Sequence, residues 1–220
     1  MPYFKNNEVN LLFIHIPKTG GTSIEYYLSK KLNIELNLKS LYSIEYKRND
    51  IPYQHLDLVT IITNHYEFNL DLRGLSILTV VRNPYHRMIS ELAFIKLINN
   101  NSTPEQVFEH IKNVIMQYQS GIQRDGHIRP QYEMIITSNG NIPKNVTVLK
   151  TEKLTEMMHK IGYIDFDFKS NKSKLIKDYM SYLNENSIKI INCFYKEDFK
   201  RFDYEMVKPS GISCDCETSQ

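Results

Sequence analysis

The sequence has no tryptophan and only three cysteines, and none of its apolar runs approaches the ~18 residues of a membrane span. None of the 220 residues therefore reads as membrane-embedded, and the opening MPYFKNNEVN does not read as a signal peptide. This fits a soluble cytoplasmic protein; the alternative is the luminal part of a longer, membrane-anchored one. The cysteines are too few for a disulfide framework. Cys193 falls in a helical run and reads as a buried apolar residue, while Cys214 and Cys216 form C-x-C in a polar tail with no histidine nearby, a poor zinc site. No metal is expected. Charge of one sign is also scarce: the net charge is +2, too small for a nucleic-acid binder driven by bulk electrostatics. Arginine is rare beside lysine, 7 against 20, so where the arginines fall carries information. The remaining composition, 41% hydrophobic and 24% charged, is that of a globular chain long enough to bury a core. One domain over residues 1–207 is expected, with 208–220 as a flexible tail.

The most informative segment is Ile14 to Glu25, IHIPKTGGTSIE. A β-type run from Leu11 to Ile16 meets Pro17, then Lys18-Thr19-Gly20-Gly21-Thr22-Ser23, and an amphipathic helical stretch follows. Strand, glycine turn and hydroxyl-rich helix start together build an anion cradle. Glycine lets backbone approach a ligand closely, and the first unpaired amides of the helix point at its oxygens. The order of residues matters. An ATP-binding loop places its lysine after the glycines, as G-x-x-x-x-G-K-[ST]; here Lys18 precedes them and no glycine lies upstream.

A second anion motif follows the apolar run Leu75 to Val81, which reads as a buried parallel strand. It ends in Arg82-Asn83-Pro84-Tyr85-His86-Arg87-Met88-Ile89-Ser90. Asn83 is a helix cap and Pro84 suits the first helical position, which leaves Arg82 at the strand's carboxyl end and Ser90 about two turns into the helix. Arginine presents a fixed fork of donors suited to phosphate. Arg87 alone reads as a solvated helix residue.

Histidine is the natural base at neutral pH, and there are seven. Leu58 to Thr63 (LVTIIT) reads as another buried strand with His65 just beyond it, so Lys18, His65 and Arg82 would each follow a strand, where ligands of open parallel sheets gather. His55 is the runner-up as base. His15 lies in the first strand and reads as a core residue; His110 and His159, in helical stretches, read as solvent-facing.

The helical pattern from Thr103 to Gln117 puts Val107, Ile111, Val114 and Ile115 on one face. Gly121 to Tyr132 is polar and turn-rich, as expected of a loop over a site. Asn145 to Lys150 reads as a strand and Thr151 to Lys160 as a helix, while the stripe through Ile188, Ile191, Phe194, Tyr195, Phe199 and Phe202 reads as core packing. Alternating strands and helices give an α/β class with a central, mostly parallel sheet flanked by helices.

P-K-T-G-G-T-S resembles the 5′-phosphosulfate loop of sulfotransferases that use 3′-phosphoadenosine-5′-phosphosulfate (PAPS), and V-R-N-P-x-x-R-x-x-S resembles their 3′-phosphate motif. The resemblance runs with breaks over about residues 10–205 and implies the fold of nucleotide-kinase-like sulfotransferases. It implies Lys18, Thr19, Gly20, Gly21, Thr22 and Ser23 around the phosphosulfate, with Lys18 neutralising charge on the leaving phosphate, and Arg82 and Ser90 on the 3′-phosphate. Asn64-His65-Tyr66-Glu67-Phe68 resembles the family's G-H-x-x-F/Y segment, whose histidine is the base, with Asn64 in place of glycine. His127-Ile128-Arg129-Pro130-Gln131 resembles its H-x-x-P-Q segment near the acceptor, which implies substrate contacts for His127, Arg129 and Gln131, with His55 as a further candidate. Asn171-Lys172-Ser173 resembles a segment that approaches the nucleotide. The implied reaction moves a sulfonate from PAPS to a hydroxyl, favouring a carbohydrate acceptor. A tyrosine or small-molecule acceptor, an ATP-dependent kinase and a non-catalytic nucleotide-binding module are the alternatives.

Overall fold

The computed structural model describes residues 1–36, 46–49, 51–122, 126–168 and 178–209. The chain forms two compact units: residues 1–82 with 123–171, and residues 83–122 with 172–220.

The first unit is built on a four-stranded sheet in the order β1-β2-β5-β6. β1 (Tyr3–Lys5) runs antiparallel to β2 (Asn10–Ile14), while β2, β5 (Ser76–Val81) and β6 (Val146–Lys150) are parallel. The mostly parallel α/β architecture expected from the alternating pattern is therefore the one observed. α1 (Gly21–Leu32) follows β2, a two-residue ribbon of β3 (Lys47–Arg48) and β4 (Ile51–Pro52) comes next, and α2 (Leu58–Thr63) precedes β5. α5 (Leu154–Lys160) follows β6 after a short 3-10 turn over Thr151–Lys153. Ile24 and Leu28 of α1 and Leu154 and Met158 of α5 pack on one face of the sheet, against Phe13, Leu78, Val80 and Leu149. The alternate residues Leu12, Ile14, Ile77 and Val81 are buried as well, and burial on both faces is why β5 reads as an unbroken apolar run rather than an alternating one.

The register puts Ile14 opposite Thr79 and Val81 opposite Lys150. The carboxyl ends of three parallel strands thus share one edge, and Lys18, Arg82 and Thr151 all lie just past it.

Leu58–Thr63 is the one expected strand that forms a helix. Asp57 accepts the Thr60 amide at 2.8 Å and caps it, and Leu58 and Ile61, three apart, are buried while Val59 and Thr63 are exposed. That is a helical period.

The second unit contains α3 (Pro84–Phe94), α4 (Pro104–Gln119), α6 (Glu185–Phe194) and α7 (Lys196–Arg201). Asn83 caps α3 with Pro84 in the first position, and Thr103 and Gln106 close a capping box on α4. The buried residues of α4 are Val107, Ile111, Val114 and Ile115, the face its spacing predicts. Tyr195, Phe199 and Phe202 are buried as the closing stripe requires, although the helix breaks at Tyr195. Two readings need correction. Arg87 is not solvated: it is 1% exposed and lies over the Tyr195 ring at 5.8 Å. Cys193 is not buried but exposed, because the inner face of α6 is taken by Ser187, Ile191 and Asn192.

Candidate functional site

Four helices, α2, α3, α4 and α6, begin with a side chain that accepts a backbone amide of their first turn. α1 does not. Its cap position is Gly20 at φ 88°, and no side chain closes the helix start. The Ser23 amide turns back to the Gly20 carbonyl at 3.1 Å, which tightens the first turn. An uncapped helix start preceded by a lysine favours an anion on general grounds.

The loop before it is held from below. Thr19 is fully buried; its hydroxyl donates to the Ile16 carbonyl at 2.8 Å, and its own carbonyl accepts the Thr151 hydroxyl at 2.6 Å. Thr151 also reaches the Val81 carbonyl at 3.1 Å, so one side chain past β6 ties the loop after β2 to the end of β5. The side chain of Thr19 therefore braces the loop rather than facing outward. Lys18 adopts a left-handed backbone at φ 68°, unusual for a side-chain-bearing residue and a form of strain that concentrates at ligand sites. Its carbonyl accepts from the Arg82 guanidinium at 3.2 Å, so Arg82 leans over the loop. Gly21 packs closely on His15: a Cβ there would lie 3.0 Å from Cε1 of the ring, tighter than an ordinary contact.

Gln131 is not a substrate-facing amide. It is fully buried, donates to the Arg82 carbonyl and accepts from the Arg82 amide, both at 2.9 Å, and so fixes the backbone that carries the arginine. Arg129 is likewise engaged, with Asp57 at 2.7 Å and Glu133 at 3.1 Å. Burial works against its charge, but this pairing outweighs it and holds the guanidinium above its ordinary value.

Three histidines come together beside the cradle. The ring of His55 lies 5.3 Å from that of His15 and 5.2 Å from that of His127. His15 stands one residue past β2 and is buried, as a core histidine should be. Its partner was not foreseen: Nδ1 donates to Oε1 of Glu25 on α1 at 2.5 Å. Nε2 of Gln54 donates to both oxygens of the same carboxylate, at 3.0 and 2.9 Å. Glu25, Gln54 and Thr151 are the polar residues that sequence reasoning missed. A glutamate four residues past Gly21 on the inward face of an amphipathic helix was the available signal.

His65 lies just past the carboxyl end of α2. It follows a helix and not a strand, so the argument that set it at a strand end fails. Its Nδ1 donates to the Ile62 carbonyl at 2.9 Å and its ring stacks on Tyr66. Ile62 and Thr63 line an open apolar cavity with Leu75, Ile77 and Asn145, at the amino ends of β5 and β6. His55, by contrast, lies two residues before the Asp57 cap, at the opposite end of α2. Asn64 closes α2 at φ −108°, a conformation that needs no glycine.

Ser90 is half-buried on α3, within the second unit. Asn171 to Ser173, Cys214 and Cys216 lie outside the described residues, as do positions 123–125 of the polar loop and 37–45. Among the described residues no cluster of His, Cys, Asp and Glu could hold a metal, and no helix is long and apolar enough to cross a membrane.

The fold is α/β, with a glycine turn and the start of α1 at the carboxyl ends of parallel strands. The chain belongs to the sulfotransferase family, whose model matches residues 1–205. It is a PAPS-dependent sulfotransferase, an enzyme that transfers sulfur-containing groups. No curated protein and no solved structure matches it.

Proposed function

We propose that the enzyme transfers a sulfonate to a carbohydrate hydroxyl, with the cradle Lys18 to Ser23 and Arg82 on the donor and His55 as the base. Residues 17–23 include no carboxylate, so the polar groups that the loop presents suit a polyanion such as PAPS. When bound, PAPS supplies an activated sulfonate on a phosphate leaving group. The open amides of α1 and the charge of Lys18 stabilise negative charge on that leaving phosphate, and Arg82 holds the 3′-phosphate. His55 accepts the proton of the acceptor hydroxyl as the new S–O bond forms and the old one breaks. His127 packs on the base, bordering the space that the acceptor enters.

The observation that carries this reading is the contact chain from Gly21 through His15 to His55, which joins a histidine to the donor loop. On this reading the base is His55 rather than His65. The carbohydrate acceptor rests on the resemblance of the H-x-x-P-Q segment, whose His127 lies in that ring cluster.

The test is calorimetric titration with adenosine 3′,5′-bisphosphate, beside ADP and ATP without added magnesium. The bisphosphate should bind at least about tenfold more tightly than either, and Arg82→Ala should weaken it by about tenfold or more. Labelled sulfonate should pass to members of a glycan panel rather than to tyrosine peptides or phenols. His55→Ala should lower that transfer by about 10²- to 10⁴-fold with binding intact, and His65→Ala should leave it near wild type. Equal or tighter binding of ATP would overturn the proposal.

A further inference from the structure

We infer that Glu25 is a positioning residue that holds His55 at a set distance from the donor loop, an inference that rests on the assignment of His55 proposed above. Glu25 is 1% exposed. A carboxylate taken out of water is costly unless its oxygens are bonded, and an apolar replacement of similar volume often serves stability as well or better. Core packing alone therefore gives no reason for an acid here. Its bonds supply one.

Two side chains bond the carboxylate, and both lead to His55, while the Met1 amino group also feels its charge. Gln54, bonded to both oxygens, is the residue before His55 on the same 3-10 turn, Tyr53–His55. His15, bonded at Oε1, presents its ring to the ring of His55. Both partners are themselves buried, Gln54 at 7% and His15 at 6% exposure. Glu25 thus fixes the backbone neighbour of the base and its ring neighbour together.

The other end of the linkage is the donor site. Glu25 lies four residues past Gly21 on α1, about one turn or 6 Å along the helix that opens the cradle. The ring that it orients is the one that packs closely on Gly21. Glu25 therefore ties α1 to His15 past β2 and to Gln54 on the turn that carries His55. The spacing between donor loop and base is set through these three elements together, and reactions depend on such spacing closely.

The test uses histidine labelled with ¹⁵N in the whole chain, with ring signals assigned by His15→Asn, His55→Asn and His127→Asn. Glu25→Gln keeps the shape but places an amide where Gln54 and His15 both donate. The His55 ring nitrogens should shift and broaden, and adenosine 3′,5′-bisphosphate should still bind within about threefold of wild type. The exchange variant Glu25→Gln with Gln54→Glu restores a carboxylate–amide pair, and the His55 signals should return toward the wild-type positions. Should Glu25→Gln not fold, Gln54→Met breaks the same linkage and should move the same signals. Unmoved His55 nitrogens in a folded variant would overturn the inference, as would loss of nucleotide binding by more than about tenfold, which would make Glu25 part of the loop's own fold. Failure of the wild type to bind the bisphosphate would instead count against the functional reading.

Discussion

At the scale of single residues, the side chains that matter here mostly face inward, and their task is to hold others. Gln131 shows this clearly. Its amide is matched to both backbone groups of Arg82, the residue that leaves β5 and reaches back to the Lys18 carbonyl. Gln131→Leu would leave those backbone groups buried without these bonds, a loss of about 1–3 kcal/mol in urea unfolding. It should also weaken adenosine 3′,5′-bisphosphate binding by about tenfold, because the arginine would no longer be presented from a fixed backbone. A variant that loses stability yet binds as tightly as wild type would show that Arg82 is held by other means. The sequence displayed Gln131 only as a polar residue in a polar loop, and nothing local distinguishes an amide that meets substrate from one that meets backbone forty-nine residues away.

At the scale of elements, the strand-end residues were legible and the helix between them was not. β2 and β5 are apolar runs bounded by proline and glycine or by an arginine–asparagine–proline turn, and the caps of α3 and α4 announce themselves. LVTIIT offers six residues rich in β-branched side chains, where strand and helix patterns cannot be told apart by periodicity alone. What settles it is Asp57, which caps the helix and also holds Arg129 at 2.7 Å. The consequence was large for the site. A strand would carry its successor, His65, to the carboxyl edge of the sheet, whereas α2 lies along a cavity at the amino ends of β5 and β6. Removing the cap tests this account. Asp57→Ala should destabilise the protein by about 1–2 kcal/mol through the lost cap, with a further cost from the unpaired Arg129. Asp57→Asn keeps a capping oxygen and should cost less. Equal unfolding midpoints for the two variants would mean that the ion pair, not the cap, holds α2.

At the scale of the whole molecule, the pairs that close the first unit are carboxylates with distant cations, which sequence periodicity cannot reveal. Asp71, ahead of β5, pairs with Lys5 on β1 at 2.7 Å and with Arg73 at 3.2 Å. Asp165, beyond α5, accepts from the Tyr27 hydroxyl at 2.7 Å and from Lys31 at 2.9 Å, both on α1. Bonds from Arg73 and then Lys5 hold the Asp71 carboxyl well below the usual range, and those from Tyr27 and then Lys31 lower that of Asp165 to about 2. In the unfolded chain both return to about 3.9, so there they bind protons first as the pH falls. The sign follows from this difference. The stabilisation is fully present above about pH 4 and is lost as the pH drops through the folded values. Unfolding midpoints in urea should therefore fall below about pH 4, and the double variant Asp71→Asn with Asp165→Asn should flatten that acid limb while costing little stability at low pH. Both carboxylates are solvent-accessible, so added salt should shrink the effect. An acid limb unchanged in the double variant would assign it to other carboxylates.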